Sequence, residues 1–276
     1  MSAIRVLMTH ELREALRNRW LLGYGAIFAA LALGLALVGL RLGGAVGLDG
    51  YGRTTASLLN LCLSLVPLIA LLLGSVGLSG DRETGRLELF LAQPLERGHL
   101  LMGRFLGALA GIGLATLLGF GIAGVLIGLA TGAGGGLQYL AFLGIALALA
   151  AVFLAVGSAV AVLVRNRIQA IAAALAIWFG CVVVFDLALI AAGTIAGAGI
   201  QVLTAGMLLN PVQVARLLAL LVLDPSLEVL GPIGGFLVSR LGPTGAGALL
   251  LGALAAWVGG PLVLALARFD STDPLV

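Results

Sequence analysis

Asp81-Arg82-Glu83-Thr84-Gly85-Arg86-Leu87-Glu88-Leu89-Phe90-Leu91-Ala92-Gln93-Pro94-Leu95-Glu96-Arg97-Gly98-His99 stands between two long apolar runs. The chain has 15 basic and 12 acidic side chains, and eight of these lie between Asp81 and Arg104. Charge so concentrated must face water or a protein partner. The runs on either side decide the fold. Hydrophobic residues make up 61% of the 276 and charged residues 10%, with a mean hydropathy of +1.20, whereas about a quarter of residues are charged in soluble domains. The composition is that of an integral membrane protein. A bilayer core needs about 20 consecutive apolar residues per helix, and six stretches meet that need: 20–40, 56–79, 105–130, 138–164, 169–195 and 244–267. They are unbroken Leu/Ala/Gly/Val runs without the short alternating strands of a barrel. We therefore expect an all-α membrane protein with six transmembrane helices.

Every basic residue is arginine; the chain contains no lysine. With the N-terminus inside, eleven arginines fall on the cytoplasmic side: Arg5, Arg13, Arg17, Arg19, Arg82, Arg86, Arg97, Arg104, Arg165, Arg167 and Arg268. Arg41, Arg53, Arg216 and Arg240 fall outside. This is the bias of the positive-inside rule, and it places both termini in the cytoplasm. The net charge of +3 follows from that asymmetry and gives no reason to invoke nucleic acid. The polar first 19 residues are too long and too mixed in sign for the n-region of a cleavable signal.

Residues 1–19 form their own unit. Ile4, Leu7, Met8, Leu12, Ala15 and Leu16 share one helical face, opposite Arg5, Thr9, Glu11, Arg13, Glu14 and Arg17. The pattern predicts an amphipathic helix along the inner leaflet, or else a topogenic flank that happens to be helical. Trp20 follows at the headgroup boundary. Residues 20–195 carry spans one to five, including the charged loop 81–104, and 244–276 the sixth span and a cytoplasmic tail. In the third span, Gly103, Gly107, Gly111, Ala115, Gly119 and Ala123 recur every fourth residue, a stripe that lets a neighbouring helix approach closely.

Residues 196–243 are neither a short loop nor a clean span. Asn210-Pro211-Val212-Gln213 has the form of a helix start, with a capping amide, proline at the first helical position and a glutamine that can reach back. A helix over 211–223 should follow, too short to span and therefore extracytoplasmic and re-entrant or interfacial. Its apolar surface, through Asn210, Pro211, Val214 and Leu218, makes it the expected landing place for an extracytoplasmic partner.

The chain lacks its own ATPase chemistry, because a phosphate-binding P-loop requires a lysine. His10 and His99 are 89 residues apart and make no zinc pair; Cys62 and Cys181 lie in separate spans without C-x-x-C spacing. We expect no bound metal and no catalytic residues. Two polar groups lie inside apolar runs. Asp186 sits about 27 Å along its helix at about 1.5 Å per residue from Ile168, in the outer third of the bilayer. Either it pairs with an outer arginine or donor, or it lines a path or outer gate. Asn60 has the same two readings, with interhelical hydrogen bonding as the structural one.

The loop residues Glu83, Gly85, Leu87, Leu89, Leu91, Pro94, Arg97 and Arg104 resemble the first cytoplasmic loop of ABC-2-type permeases, with arginine at 104 where lysine is frequent. The resemblance implies six helices, an N-terminal interface helix and a coupling helix that docks on a separate ATPase subunit, which holds ATP and Mg. Glu83, Gly85, Arg86, Leu87, Leu89, Leu91, Pro94 and Arg97 would carry that coupling, with the charges of Glu83 and Arg97 turned to the ATPase. Further stretches are Glu11-Leu12, Arg17 to Leu22, Pro67 to Leu73, Trp178-Phe179, Val184 to Leu189 and Leu209-Asn210-Pro211. These are similar to the permeases of nitrous oxide reductase maturation systems. That likeness implies an inner-membrane homodimer with two ATPase copies, a periplasmic accessory protein and a copper chaperone, serving assembly of copper centres. The alternatives are a generic ABC-2 exporter of lipid, drug or peptide, a secondary carrier, and a membrane scaffold.

Overall fold

A computed structural model describes residues 3–43, 50–91, 96–131, 136–223 and 232–271. The described residues form helices and connecting turns, with no strand among them. They run α1 (Ala3–Arg17), α2 (Arg19–Gly43), α3 (Gly50–Glu83), α4 (Arg86–Leu91), α5 (Arg97–Thr131), α6 (Gly136–Leu163) and α7 (Arg167–Phe179). A π-helical turn (Gly180–Val184) leads into α8 (Phe185–Thr194), followed by α9 (Ile200–Leu208), α10 (Pro211–Leu223) and α11 (Pro232–Ser271). Among the described residues, six segments are long and apolar enough to cross a bilayer: Arg19–Val38, Ser57–Glu83, Arg97–Val125, Gly136–Leu163, Arg167–Thr194 and Gly235–Phe269. The expectation of a six-span all-α membrane protein holds.

The spans are longer than the sequence boundaries. α3 has 34 residues and α5 has 35, each about 50 Å at 1.5 Å per residue, against a hydrocarbon core of about 30 Å. The charged island is therefore not a free loop: its two ends are the projecting ends of α3 and α5. The sixth span begins earlier than expected, as a 40-residue α11. Gly242, at φ 69° and ψ 167°, breaks its helical geometry immediately before Pro243, because a residue without Cβ can enter the left-handed region at little cost.

α6 occupies the centre of the bundle, with Phe142, Leu149, Ala150, Phe153 and Ala155 fully enclosed. Its crossing with α3 brings the two backbones together. A Cβ on Gly74 would lie 2.7 Å from the Leu154 carbonyl, and one on Gly157 would lie 2.8 Å from the Leu71 carbonyl. Small residues on both helices let backbone meet backbone, where van der Waals packing holds membrane helices together. At the edge lie α7 and α8, with Leu187 and Ile190 each 62% exposed.

The glycine stripe of α5 receives α1 and α2. A Cβ on Gly103 would meet Leu7 Cβ at 2.5 Å, one on Gly107 would meet Glu11 Cβ at 2.5 Å, and one on Gly111 would meet Ala15 Cβ at 2.9 Å. Both helices advance by four residues per contact, so α1 runs lengthwise along α5. Further along, Phe28 of α2 fills the notch at Gly119. Leu7 and Ala15 of the apolar face of α1 thus pack on α5, while Leu16 of the same face is 43% exposed. One assignment changes: Glu11, placed on the polar face, has its Cβ pressed against Gly107.

Candidate functional site

Seven elements converge on the arginine-rich end: α1, α3, α4, α5, α6, α7 and α11. α3 stops at Glu83, and Thr84 closes it by donating from its hydroxyl to the Gly80 carbonyl at 3.0 Å. Gly85 then reverses the chain with φ 72°, a conformation that favours glycine. The short helix α4 follows. Its Leu87 is 4% exposed and joins Leu78, Leu100, Leu101, Ala159, Val162, Ala265 and Phe269 in a second apolar cluster. Leu89, two residues on, is 70% exposed. One side of α4 is an anchor; the other meets solvent.

The charges of the island brace this junction. Asp81 pairs with Arg104 of α5, both side chains being largely buried. Arg86 donates to Glu14 of α1 at 2.7 Å and lies 3.6 Å from Asp81. Arg82 donates to the Val164 carbonyl at 2.8 Å, and the Arg167 amide donates to Glu83 Oε1 at 2.7 Å, so both ends of the α6–α7 connection are held. Arg97 donates to the Phe269 carbonyl at 3.1 Å near the end of α11. Desolvation pushes the Glu14 carboxyl up, but the hydrogen bond and charge of Arg86 outweigh it and hold the group below its ordinary value.

Glu83 and Arg97, expected to carry coupling, each also make a bond within the chain, Glu83 while remaining exposed. Each is turned to a carbonyl or amide of this chain, because the ends of long helices leave orphan backbone groups that nearby side chains satisfy. Leu87 likewise faces the bundle interior. Of the expected coupling residues, Leu89 presents an apolar side chain outward; Leu91 ends α4, and Pro94 lies outside the described residues.

A cavity of about 390 Å³ opens beside the junction, between α1, α3, α5 and α7. Glu11, Glu14, Asp81, Arg86, Arg104 and Arg167 reach it, as do apolar residues of α3. Burial raises the Glu11 carboxyl above its usual range against the pull of Arg104, and the charges of Glu14 and Asp81 add to the rise. The ligand atoms of His10, Glu11 and Glu14 come within 4.8 Å of one another, a grouping that a search for paired histidines misses. Glu14 is already engaged by Arg86, which leaves two donors on a largely open face and no closed coordination sphere.

At the other end of the molecule, α9 and α10 meet at a bend of 106°. Asn210 stands at the corner. Its Oδ1 accepts the Val212 amide at 2.9 Å, and its Nδ2 donates to the Cys181 carbonyl at 2.6 Å. Cys181 lies in the π-helical turn, where the shifted hydrogen-bond register leaves carbonyls in need of other donors. Gln213 donates to Asp186, and Arg216 holds the same carboxylate through Nη1 and Nη2, each 3.2 Å from Oδ2. Of the two readings of Asp186, pairing with an arginine, Arg216, is the one the structure displays. Asn60 is exposed on α3, and no described hydrogen bond joins its side chain to Asp186.

The partner-contact expectation for α10 is overturned. Asn210, Pro211, Val214 and Leu218 are all buried, Val214 completely. The helix is apolar because it is enclosed by α6 and α11, and the same composition that reads as a sticky surface serves as core.

The ABC-2 family transporter protein model matches residues 5–274 of the chain. Among curated proteins, the chain is 39% identical over 278 residues to the probable ABC transporter permease protein NosY of Pseudomonas aeruginosa, covering 96% of this chain and 97% of that protein. It is 37% identical over 278 residues to the protein of the same name from Stutzerimonas stutzeri, covering 98% of each.

Proposed function

The chain belongs to the ABC-2 family of transporter proteins, and from that premise we propose that this permease subunit serves maturation of the copper centres of periplasmic nitrous oxide reductase. Permease subunits are non-catalytic, and a partner ATPase supplies the energy, which sets aside the secondary carrier and the ATPase-free scaffold. The maturation role is supported by the likeness of Glu11-Leu12, Pro67 to Leu73, Val184 to Leu189 and Leu209-Asn210-Pro211 to permeases of that system. In this reading the arginine-rich end is cytoplasmic and the bend at Asn210 is periplasmic. Two copies of the chain in the inner membrane join two ATPase subunits, a periplasmic accessory protein and a copper chaperone.

Energy enters through α4. The observation that carries this is the opposed orientation of Leu87 and Leu89 on a helix of six residues: one leucine ties the helix to the bundle, and the other offers itself to a partner groove. ATP-driven closure of the ATPase pair then moves each α4 as a rigid body, and the bracing of Asp81, Arg86 and Arg97 passes the motion to α1, α3, α5 and α11. Leu89→Asp should abolish co-purification of the ATPase while the permease stays in the membrane at normal abundance. Undiminished co-purification would remove α4 from the coupling path. Deleting the gene and assaying copper in periplasmic nitrous oxide reductase tests the cargo: a copper-depleted reductase is expected, and a fully loaded one would return the protein to the generic exporters.

A further inference from the structure

We propose that the cavity between α1, α3, α5 and α7 binds the headgroup of an amine-bearing phospholipid, with Glu11 accepting from the ammonium group. The proposal stands whichever cargo the transporter serves. The cavity's 390 Å³ is within the range of small-ligand sites, about 300–1,000 Å³. Its lining is divided. Leu72, Val76 and Ile171 form an apolar wall, while Glu11, Asn18 and Arg167 are on the polar side. A water-soluble nucleotide has no use for the first wall, and a hydrocarbon has none for the second. A phospholipid presents both, and Trp20 on the rim is the residue type that anchors at headgroup depth.

Two independent features separate this cavity from a packing gap. The first is the pair Gly77 and Gly80. A glycine in a helix interior costs about 1 kcal/mol relative to alanine, and at Gly74, Gly107 and Gly157 close backbone approach accounts for it, since a Cβ there would lie within 3.0 Å of a neighbour. At Gly77 and Gly80 an added Cβ would meet nothing within 4 Å, yet both line the cavity. Other described glycines, Gly121 and Gly144 among them, are equally open, but at Gly77 and Gly80 the open space is the cavity itself.

The second is the inequality of the three carboxylates. Asp81 has Arg104 and Glu14 has Arg86, whereas Glu11 is half-buried and feels Arg104 through its charge, with no hydrogen bond to its carboxylate among the described residues. A desolvated carboxylate without a donor is costly. A primary ammonium group brings three donors and a positive charge, as a lysine side chain would; a quaternary choline brings the charge without the donors. Arg167 and Asn18 supply guanidinium and amide donors for the phosphate, the planar guanidinium being suited to bidentate phosphate contact.

The test is competitive lipid retention on the full chain. Protein purified with equimolar phosphatidylethanolamine, phosphatidylcholine and phosphatidylglycerol is delipidated stepwise, and the retained lipid is counted by native mass spectrometry. The wild type should hold phosphatidylethanolamine at least about tenfold over the other two, the discrimination of one charge-assisted hydrogen bond. E11Q should bring the ratio near parity. G77L, whose side chain has room in the cavity, should keep its thermal melt and lose all three lipids. A preference for phosphatidylglycerol, a ratio indifferent to E11Q, or equal competition by free phosphoethanolamine would overturn the proposal. So would E11Q losing the ATPase with unchanged lipid ratios, which would hand the cavity to the partner protein.

Discussion

Two arginine–carboxylate pairs stand at opposite ends of the bundle, and they are built differently. Asp81 and Arg104 have side chains 13% and 12% exposed, on two helices already joined through Arg86, Glu14 and Leu87. Asp186 and Arg216 are 32% and 31% exposed, and the Nε of Arg216 is enclosed without a partner. The first pair is a brace inside a cross-linked junction. The second pins one corner together with Gln213, which donates to the same carboxylate, and the amide of Asn210. Burial raises what is lost when one member is removed, because the survivor is left as an uncompensated charge. The arginine-rich end is therefore made to move as a unit, whereas the far bend owes more to the enclosure of α10 than to its half-open charge pair.

The contrast is open to direct attack. Asp81→Ala should have the largest effect, about 3–5 kcal/mol, by leaving Arg104 without its carboxylate; the thermal melt of the detergent-solubilised protein reads it. Asp186→Ala should cost less, since that pair is about a third exposed and Gln213 stays beside Arg216, and an equal loss from both variants would erase the distinction. Next comes Asn210→Ala, which removes both the cap of α10 and the donor to Cys181, at about 1–2 kcal/mol. Asn210→Asp keeps the cap but not the amide donor, so proteolysis at the α9–α10 corner should rise for Asp and rise further for Ala.

Smaller effects sharpen the account of the junction. Gly85→Ala forces a Cβ into the left-handed region and should cost about 1 kcal/mol, seen as easier cleavage around α4. Glu14 supplies the weakest tie, being half exposed, and is worth at most about 1 kcal/mol. Its carboxyl is held below the ordinary value, so the contribution is complete above the unfolded-state pKa and disappears as pH falls through the lower folded-state value. The α1–α4 separation read by paired spin labels should therefore widen in acid, and Glu14→Gln should abolish that pH dependence.

The spans were legible because twenty apolar residues in a row permit few other readings, and Asn210-Pro211 announced α10 through local capping chemistry alone. Orientation was not legible. Val214 and Leu218 look alike as surface or core, and only the positions of α6 and α11 decide. Glu11 was misplaced for a related reason: a helical wheel counts polarity, but the notch at Gly107 that receives its Cβ belongs to another helix 96 positions away. Glu83 and Arg97 read as docking charges because sequence does not reveal the carbonyls and amides at neighbouring helix ends.

The contact between Gly74 and Gly157 has a mechanical consequence. With no side chain between the two backbones, α3 and α6 cannot slide past each other at Gly74 and Gly157 without driving carbonyl into carbon, and Leu58, Cys62 and Val66 keep α3 enclosed well before that crossing. About 14 Å of helix separates Gly74 from Glu83. A push on Glu83 therefore meets no slack on its way to the centre of the bundle: α3 and α6 travel as one rod.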